Sequence, residues 1–217
     1  MVHERGPAWL GKLERHLRWL AVPNIAGLLV GLQFVGFVLV HSDPDWWWRL
    51  ALVPELVLEG ELWRLVSFLA LPISSSPLWI LFFLWFLYFI VEGIENALGS
   101  FRTTFYILIS VFLTICFSLL FGVPITYAGD LESTLFLAAA ALSPETEVLL
   151  FFVVPVKFIW LAWLTGAFIL WRLVTGSWLE RLYLVAIYLN YLLFFGPYHY
   201  WQLKQRYRRW AFRRQMR

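Results

Sequence analysis

Charge-free stretches separated by short polar segments organise this chain. Residues 19–40 carry no charged side chain and predict a first membrane span at about 24–41. Residues 42–77 break the pattern. They hold Asp43, Asp45, Glu55, Glu59 and Glu61 against Arg49 and Arg64, with prolines at 44, 54, 72 and 77. Trp46, Trp47, Trp48, Leu50, Leu52, Leu56, Val57 and Leu58 keep the segment half apolar, so it reads as short amphipathic helices lying in the membrane interface. A second span is predicted at about 78–98, after Ser74, Ser75, Ser76 and Pro77, and a third at about 102–121, after the Gly99-Ser100 turn.

The next apolar run is short. About twelve helical residues cover roughly 18 Å, against a hydrocarbon core of about 30 Å. A short fourth span at about 131–143, rich in small residues at Ala138 to Ala141, is therefore expected to be ringed by longer helices or to sit where the bilayer thins. Val148 to Val154, ended by Pro155, is too short to cross and reads as a connector against the membrane. A fifth span is predicted at about 157–174 and a sixth at about 178–195, stopped by Gly196-Pro197. The expected fold class is an all-α polytopic membrane protein: a six-transmembrane helical bundle with a short TM4 and an amphipathic external first loop.

Composition agrees with this pattern. The chain has 217 residues, 61% hydrophobic and 14% charged, whereas soluble domains run at about 45–50% apolar and about 25% charged. That excludes a soluble globular enzyme, a nucleic-acid-binding domain and a disordered protein. Fourteen Trp fit a chain with much membrane–water interface. The single cysteine, Cys116, forms no intrachain disulfide and lies in an apolar run.

Charge placement sets the orientation. Eleven of the 17 Lys and Arg lie near the two ends: Arg5, Lys12, Arg15 and Arg18 in front, and seven from Lys204 to Arg217 behind. An even number of spans puts both termini on one side, and the positive-inside rule makes it the cytoplasmic side. A bacterial inner membrane is the favoured setting, with the acidic 42–77 segment outside. The first 18 residues are too long and too mixed for a signal-peptide n-region, so no cleavable signal is expected. Residues 1–20 read as an interfacial segment, with Trp9, Leu10, Leu13, Leu17 and Leu20 on one helical face opposite Lys12 and Arg15. Residues 21–198 form the membrane domain. Residues 199–217 form a basic tail in which Trp201, Tyr207, Trp210 and Phe212 alternate with Arg206, Arg208, Arg209, Arg213 and Arg214, an expected anchor on anionic lipid rather than on nucleic acid.

Polar groups inside spans are costly and mark candidate sites. Glu92 and Glu95 share a face at the end of the second span, with Arg102 after the turn, and read as an ion-paired helix end. Lys157 and Arg172, at the two ends of the fifth span, are expected to snorkel. Asp130, Glu132 and Ser133 open the short fourth span: Asp130 as a helix cap, or Glu132 as part of a polar cavity that opens outward. Asn190 lies mid-way along the sixth span, on a face with Tyr183 and Ala186, and predicts an interhelical hydrogen bond. Gly27-x-x-x-Gly31 is a possible helix-packing notch. No metal site is expected, since no ligand-type residues share an inward face at suitable spacing, and no cofactor is implied.

Several motifs carry a family resemblance. Glu61-Leu62-Trp63-Arg64-Leu65-Val66-Ser67-Phe68 resembles the Trp-Arg motif in the first loop of rhomboid-superfamily proteins. Gly93-Ile94-Glu95-Asn96-Ala97-Leu98-Gly99-Ser100-Phe101-Arg102 is similar to the rhomboid Glu before a Gly-Ser turn and a basic residue. Phe136 to Pro144 resembles the end of the rhomboid fourth span, and Phe152 to Trp163 the connector and the start of the fifth. The resemblance covers roughly residues 60–200 and implies a rhomboid-like six-span fold, with Trp63, Arg64, Glu95, Gly99 and Arg102 as scaffold residues.

Active rhomboids are intramembrane serine proteases, with a Gly-x-Ser-Gly nucleophile at the start of the fourth span and a His on the sixth. Here the fourth span opens Gly129-Asp130-Leu131-Glu132-Ser133-Thr134, without the flanking glycines, and no histidine lies between 178 and 196. Ser133 stands near the nucleophile position, counting back from Phe136 puts Glu132 there, and the resemblance leaves Tyr183 or Asn190 as alternatives for the position of the His. A serine hydroxyl needs a base within about 2.6–3.2 Å, and neither Asn nor a neutral Tyr is one near pH 7. The resemblance thus implies a pseudoprotease, nearer in logic to derlins and inactive rhomboids. Glu132, Ser133, Tyr183 and Asn190 would line a remnant cavity, and the partners would be membrane lipids and transmembrane segments of other proteins. The oligomeric state stays open. Two rival readings are an active protease with an atypical site at Ser133, and a small transporter or channel using Glu92, Glu95 and Glu132.

Overall fold

The computed structural model describes residues 8–150 and 154–215. It opens with α1 (Ala8–Leu17) and a 3-10 turn at Arg18–Leu20. Leu10 is buried in the main core, and Leu13, Leu17 and Leu20 are half-buried, while Lys12 and Arg15 are exposed. The side chain of Trp9 lies outside the described residues.

Helix α2 (Ile25–Ser42) starts at Asn24, whose Oδ1 accepts the Gly27 N–H at 3.2 Å. That cap uses up Gly27: a Cβ there would stand 2.9 Å from the Asn24 amide, while Gly31 faces open space. Among the described residues, the expected 27–31 notch therefore packs no helix. The close approach lies at Gly36, where a Cβ would fall 1.7 Å from the Ala70 carbonyl oxygen. Glycine here lets α2 press its backbone against the turn that ends the first loop.

That loop is built from three short helices, α3 (Trp46–Leu50), α4 (Pro54–Leu58) and α5 (Arg64–Ser67), and a 3-10 turn at Phe68–Ala70. Arg64 holds it together from inside. Its guanidinium is buried and donates to the Trp48 and Ala51 carbonyls, both at 2.8 Å, and to Glu61 at 2.6 Å. Ser67 Oγ donates to the Leu50 carbonyl at 2.9 Å. A separate core of Leu50, Ala51, Leu52, Val53, Val57, Phe68, Ala70, Leu71 and Ile125 fills the loop. Trp63, expected beside Arg64 as a scaffold residue, points outward and is 58% exposed. It immediately precedes α5, so the neighbouring Arg64 takes the inward direction.

Helices α6 (Pro77–Leu98) and α7 (Ser100–Phe121) are joined through Gly99, whose φ of +87° glycine adopts without strain. The loop after α7 is pinned to the first loop by a two-way backbone bridge between Leu52 and Ile125, at 3.1 and 2.8 Å. Helix α8 (Gly129–Leu142) sits at the centre, against α6, α9 and α10, with ten of its 14 residues buried. Ala138 to Ala141 let its neighbours approach.

The segment after α8 departs from an all-α plan. Strands β1 (Glu147–Leu150) and β2 (Val154–Lys157) pair antiparallel, with Glu147 opposite Lys157. The β-branched Val148, Val154 and Val156 suit a strand, so the expected connector is a hairpin. Helix α9 (Phe158–Thr175) buries only Phe158. Helix α10 runs unbroken from Trp178 to Gln215 and carries Pro197 inside it. The expected stop at Gly196-Pro197 does not occur. Proline removes one ladder bond, and the helix continues through that loss. At about 1.5 Å per residue, α10 outreaches a hydrocarbon core of about 30 Å, so 199–215 continue a span as a helix. Arg206, Arg208, Arg209, Arg213 and Arg214 fall in its last turns, where their side chains lie outside the described residues.

Among the described residues, five helices are long and apolar enough to cross a membrane: α2, α6, α7, α9 and the Trp178–Pro197 part of α10. They make this a multi-pass integral membrane protein built mainly from helices. At 14 residues, α8 falls short of that length.

Candidate functional site

The start of α8 gathers the polar residues that the sequence singles out, but it sends them in different directions. Successive helical residues are about 100° apart, and Glu132 and Ser133 accordingly face different neighbours. Glu132 points to α2. Its Oε1 accepts from Gln33 Nε2 at 2.6 Å, and that amide also donates to the Leu69 carbonyl at 3.1 Å. Both side chains are buried, and among the described residues Glu132 Oε2 and Gln33 Oε1 have no hydrogen-bond partner. Gln33 is a residue the sequence reading missed. The signal was available, because it is the one amide inside the apolar helix Ile25–Ser42.

Ser133 points to α10. Its Oγ donates to the Asp130 carbonyl at 2.8 Å and meets the Tyr188 hydroxyl. A hydroxyl has one proton to give, so with Ser133 donating to Asp130, the Tyr188 phenol donates to Ser133. Among the described residues Tyr188, and neither Tyr183 nor Asn190, bonds the Ser133 hydroxyl. It lies two residues from Asn190, about 200° away around α10, which is why the two face different helices.

Asn190 is fully buried against α7. Its Nδ2 donates to the Tyr106 carbonyl at 2.8 Å and to Ser110 Oγ at 2.7 Å, as an interhelical hydrogen bond requires, and its Oδ1 has no partner among the described residues. Tyr106 in turn donates to the Thr134 carbonyl at 3.1 Å, tying α7 to α8. Tyr183 packs against Phe117, with ring centroids 5.1 Å apart. Glu132, Ser133, Tyr183 and Asn190 therefore make four separate contacts and do not converge on one cavity.

Asp130 does not cap its helix by its side chain. It pairs with Arg172 of α9, whose Nη1 donates to Oδ1 and Nη2 to Oδ2 at 3.4 Å. Arg172 Nε also donates to Glu180 of α10 at 2.9 Å. Instead of snorkelling, Arg172 joins the first turns of α8 and α10 to the end of α9. At the opposite end of the bundle, Arg102 pairs with Glu14 of α1 at 3.3 Å rather than with Glu92 or Glu95. Glu95 accepts from Ser100 Oγ at 2.6 Å and from the Asn24 N–H at 3.1 Å. Lys157 reaches Glu145 at 2.6 Å on the exposed surface, and this pairing raises its pKa above the usual lysine value.

The described histidines are engaged elsewhere. His16 bonds the Lys12 carbonyl, His41 stacks on Phe37, and His199 bonds Tyr191 at 2.7 Å. His199 lies eleven residues along α10 from Tyr188, roughly 16 Å of helix rise. Among the described residues, no three His, Cys, Asp or Glu side chains group as a metal site would require. No family model, curated protein or solved structure matches this chain.

Proposed function

We propose that this chain is a rhomboid-like intramembrane pseudoprotease that binds transmembrane segments of client membrane proteins and does not hydrolyse them. In this reading α8 is the short fourth of six crossings, both termini are cytoplasmic, and the host membrane is a bacterial inner membrane. The observation that carries the reading is the surroundings of Ser133: its hydroxyl faces a carbonyl and a phenol. A phenol of ordinary pKa, about 10, is almost wholly protonated near pH 7 and does not serve as the base that a serine nucleophile needs.

The helix arrangement supports binding. At roughly 21 Å, α8 is shorter than the hydrocarbon core, which favours local thinning of the bilayer. Helix α9 beside it is lightly held. Near its start Phe158 packs on Phe86, Phe89 and Phe136, with centroids 5.6–6.4 Å apart, and near its end Arg172 is tied to α8 and α10. Between those ties Trp160, Trp163, Leu164 and Phe168 are all more than 60% exposed. Such an apolar face packs against a client helix as readily as against lipid.

A photo-crosslinker at Trp163 or Phe168, in the full chain in its membrane, tests this. Adducts with membrane proteins are expected. Lipid adducts alone from both positions overturn the reading.

A further inference from the structure

A pocket of about 390 Å³ opens where α7 and α9 finish and α8 and α10 begin. Its aromatic walls are Phe117, Tyr127 and Tyr183, and its charged lining is Asp130, Arg172 and Glu180. The size suits a small ligand group, since ligand pockets run at about 300–1,000 Å³.

The charges do not balance: one guanidinium faces two carboxylates. The helix ends leave this excess standing. Two N-termini and two C-termini meet here, and their opposite partial charges cancel in pairs. Arg181 does not line the pocket. It donates to carbonyls at the end of α9 and just past it, Val174 at 2.8 Å and Gly176 at 3.1 Å. Tyr127, in the loop before α8, lines the same pocket, and burial is the main cause that holds its phenol above the ordinary value.

Acceptor capacity is also left over. Two ionised carboxylates offer about eight lone-pair directions, and Arg172 fills only part of them. Glu180 Oε2 accepts no hydrogen bond among the described residues. Aromatic faces attract a cation within about 6 Å, and three rings stand around this surplus.

We infer that this pocket binds an organic cation, an alkylammonium or guanidinium group seated against Phe117, Tyr127 and Tyr183 with Glu180 as its counter-ion. The group arrives either on a free amine or as a Lys or Arg near the outer end of a client segment. The second source rests on the function proposed above; the first does not.

The test uses the full chain in lipid nanodiscs. N-acetyl-lysine methylamide and its neutral isostere N-acetyl-norleucine methylamide are titrated by calorimetry. The lysine probe is expected to bind at least about tenfold more tightly, a difference of the size a charge-assisted hydrogen bond supplies. Glu180→Gln is expected to remove that preference, and Tyr127→Leu, on a half-exposed loop residue, to weaken it several-fold. Equal binding of the two probes overturns the inference, as does lysine binding unchanged in both variants. If Glu180→Gln fails to fold, Tyr127→Leu decides alone.

A second arm co-reconstitutes transmembrane peptides carrying Lys or norleucine near the outer end, with a photo-crosslinker at position 127. Preferential capture of the Lys peptide supports the client-borne source. Equal capture overturns that source and leaves client binding standing. Capture of neither peptide counts against client binding, while the calorimetry judges the cation site by itself.

Discussion

The hydroxyl of Ser133 meets the phenol of Tyr188, and its one proton goes to the Asp130 carbonyl at 2.8 Å. A serine placed this way accepts a hydrogen bond from its neighbour instead of losing a proton to it, which lowers its nucleophilicity. A fluorophosphonate probe is expected to leave the purified wild-type chain unlabelled, with Ser133→Ala indistinguishable from it. Labelling or peptide hydrolysis that disappears in Ser133→Ala overturns the pseudoprotease reading and restores the atypical serine protease.

The positions of α2, α6, α7 and α10 were legible because charge-free runs of 18 or more residues have few other solutions in water or lipid, and α9 was legible from a run of 14 flanked by Lys157 and Arg172. Side-chain direction was less legible. Tyr188, Asn190 and Tyr191 fall within one helical turn, yet Tyr188 faces α8, Asn190 faces α7 and Tyr191 reaches His199. A hydrophobic pattern as uniform as that of α10 does not say which polar residue points where. The Asp130–Arg172 pair was legible in principle. Consecutive spans run in opposite directions, so the start of one and the end of the next share a side of the membrane, and the opposite charges there were available to pair. The hairpin of β1 and β2 was hidden because a short apolar run reads equally as strand, connector or helix fragment. The passage of α10 through Pro197 was hidden because proline usually marks an end.

Asn190 is the polar tie between α10 and α7. Asn190→Leu removes both donated bonds, to Tyr106 and Ser110. Interhelical hydrogen bonds in membranes are worth about 0.6–2 kcal/mol, and the partnerless Oδ1 disappears with the substitution, which offsets part of the loss. The expected cost is therefore about 1 kcal/mol, read by unfolding in a graded detergent mixture. Ser110→Ala in the Asn190→Leu background is expected to add little, which a double-mutant cycle checks.

Gly36 and Gly31 lie on the same helix with opposite prospects. A Cβ at 36 would sit 1.7 Å from the Ala70 carbonyl oxygen, whereas one at 31 meets nothing within 4 Å. Backbone must move for Gly36→Ala, and overpacking of this kind costs about 1–3 kcal/mol. Gly31→Ala is expected to be neutral or slightly stabilising, since alanine is the better helix former. Equal melting temperatures for the two variants would place the α2 contact with the first loop elsewhere.

Arg172 ties three helix ends through Asp130 and Glu180. The Asp130 and Arg172 side chains are 10% and 24% exposed, between the surface case, worth about 0–1 kcal/mol, and the buried case, where removing one partner costs about 3–5 kcal/mol. Asp130→Asn is therefore expected to destabilise by about 1–3 kcal/mol. In the double variant with Arg172→Gln the loss should be less than the sum of the two singles. Additive losses would mean that the two residues are not energetically paired.

His199 gives the chain a pH dependence with a definite sign. It lies two residues beyond the apolar part of α10, and burial lowers its pKa below the ordinary imidazole value of 6.5. The folded state therefore favours the neutral ring, which can accept the Tyr191 hydroxyl at 2.7 Å. Between the lowered folded value and 6.5, the unfolded chain binds more protons than the folded one, so stability rises with pH across that window and levels off above it. Unfolding midpoints measured from mildly acidic to neutral pH are expected to fall on acidification below about 6.5, and His199→Gln is expected to remove that part of the slope while leaving the neutral-pH plateau nearly unchanged. A slope equal in wild type and His199→Gln would assign the acid sensitivity to other groups.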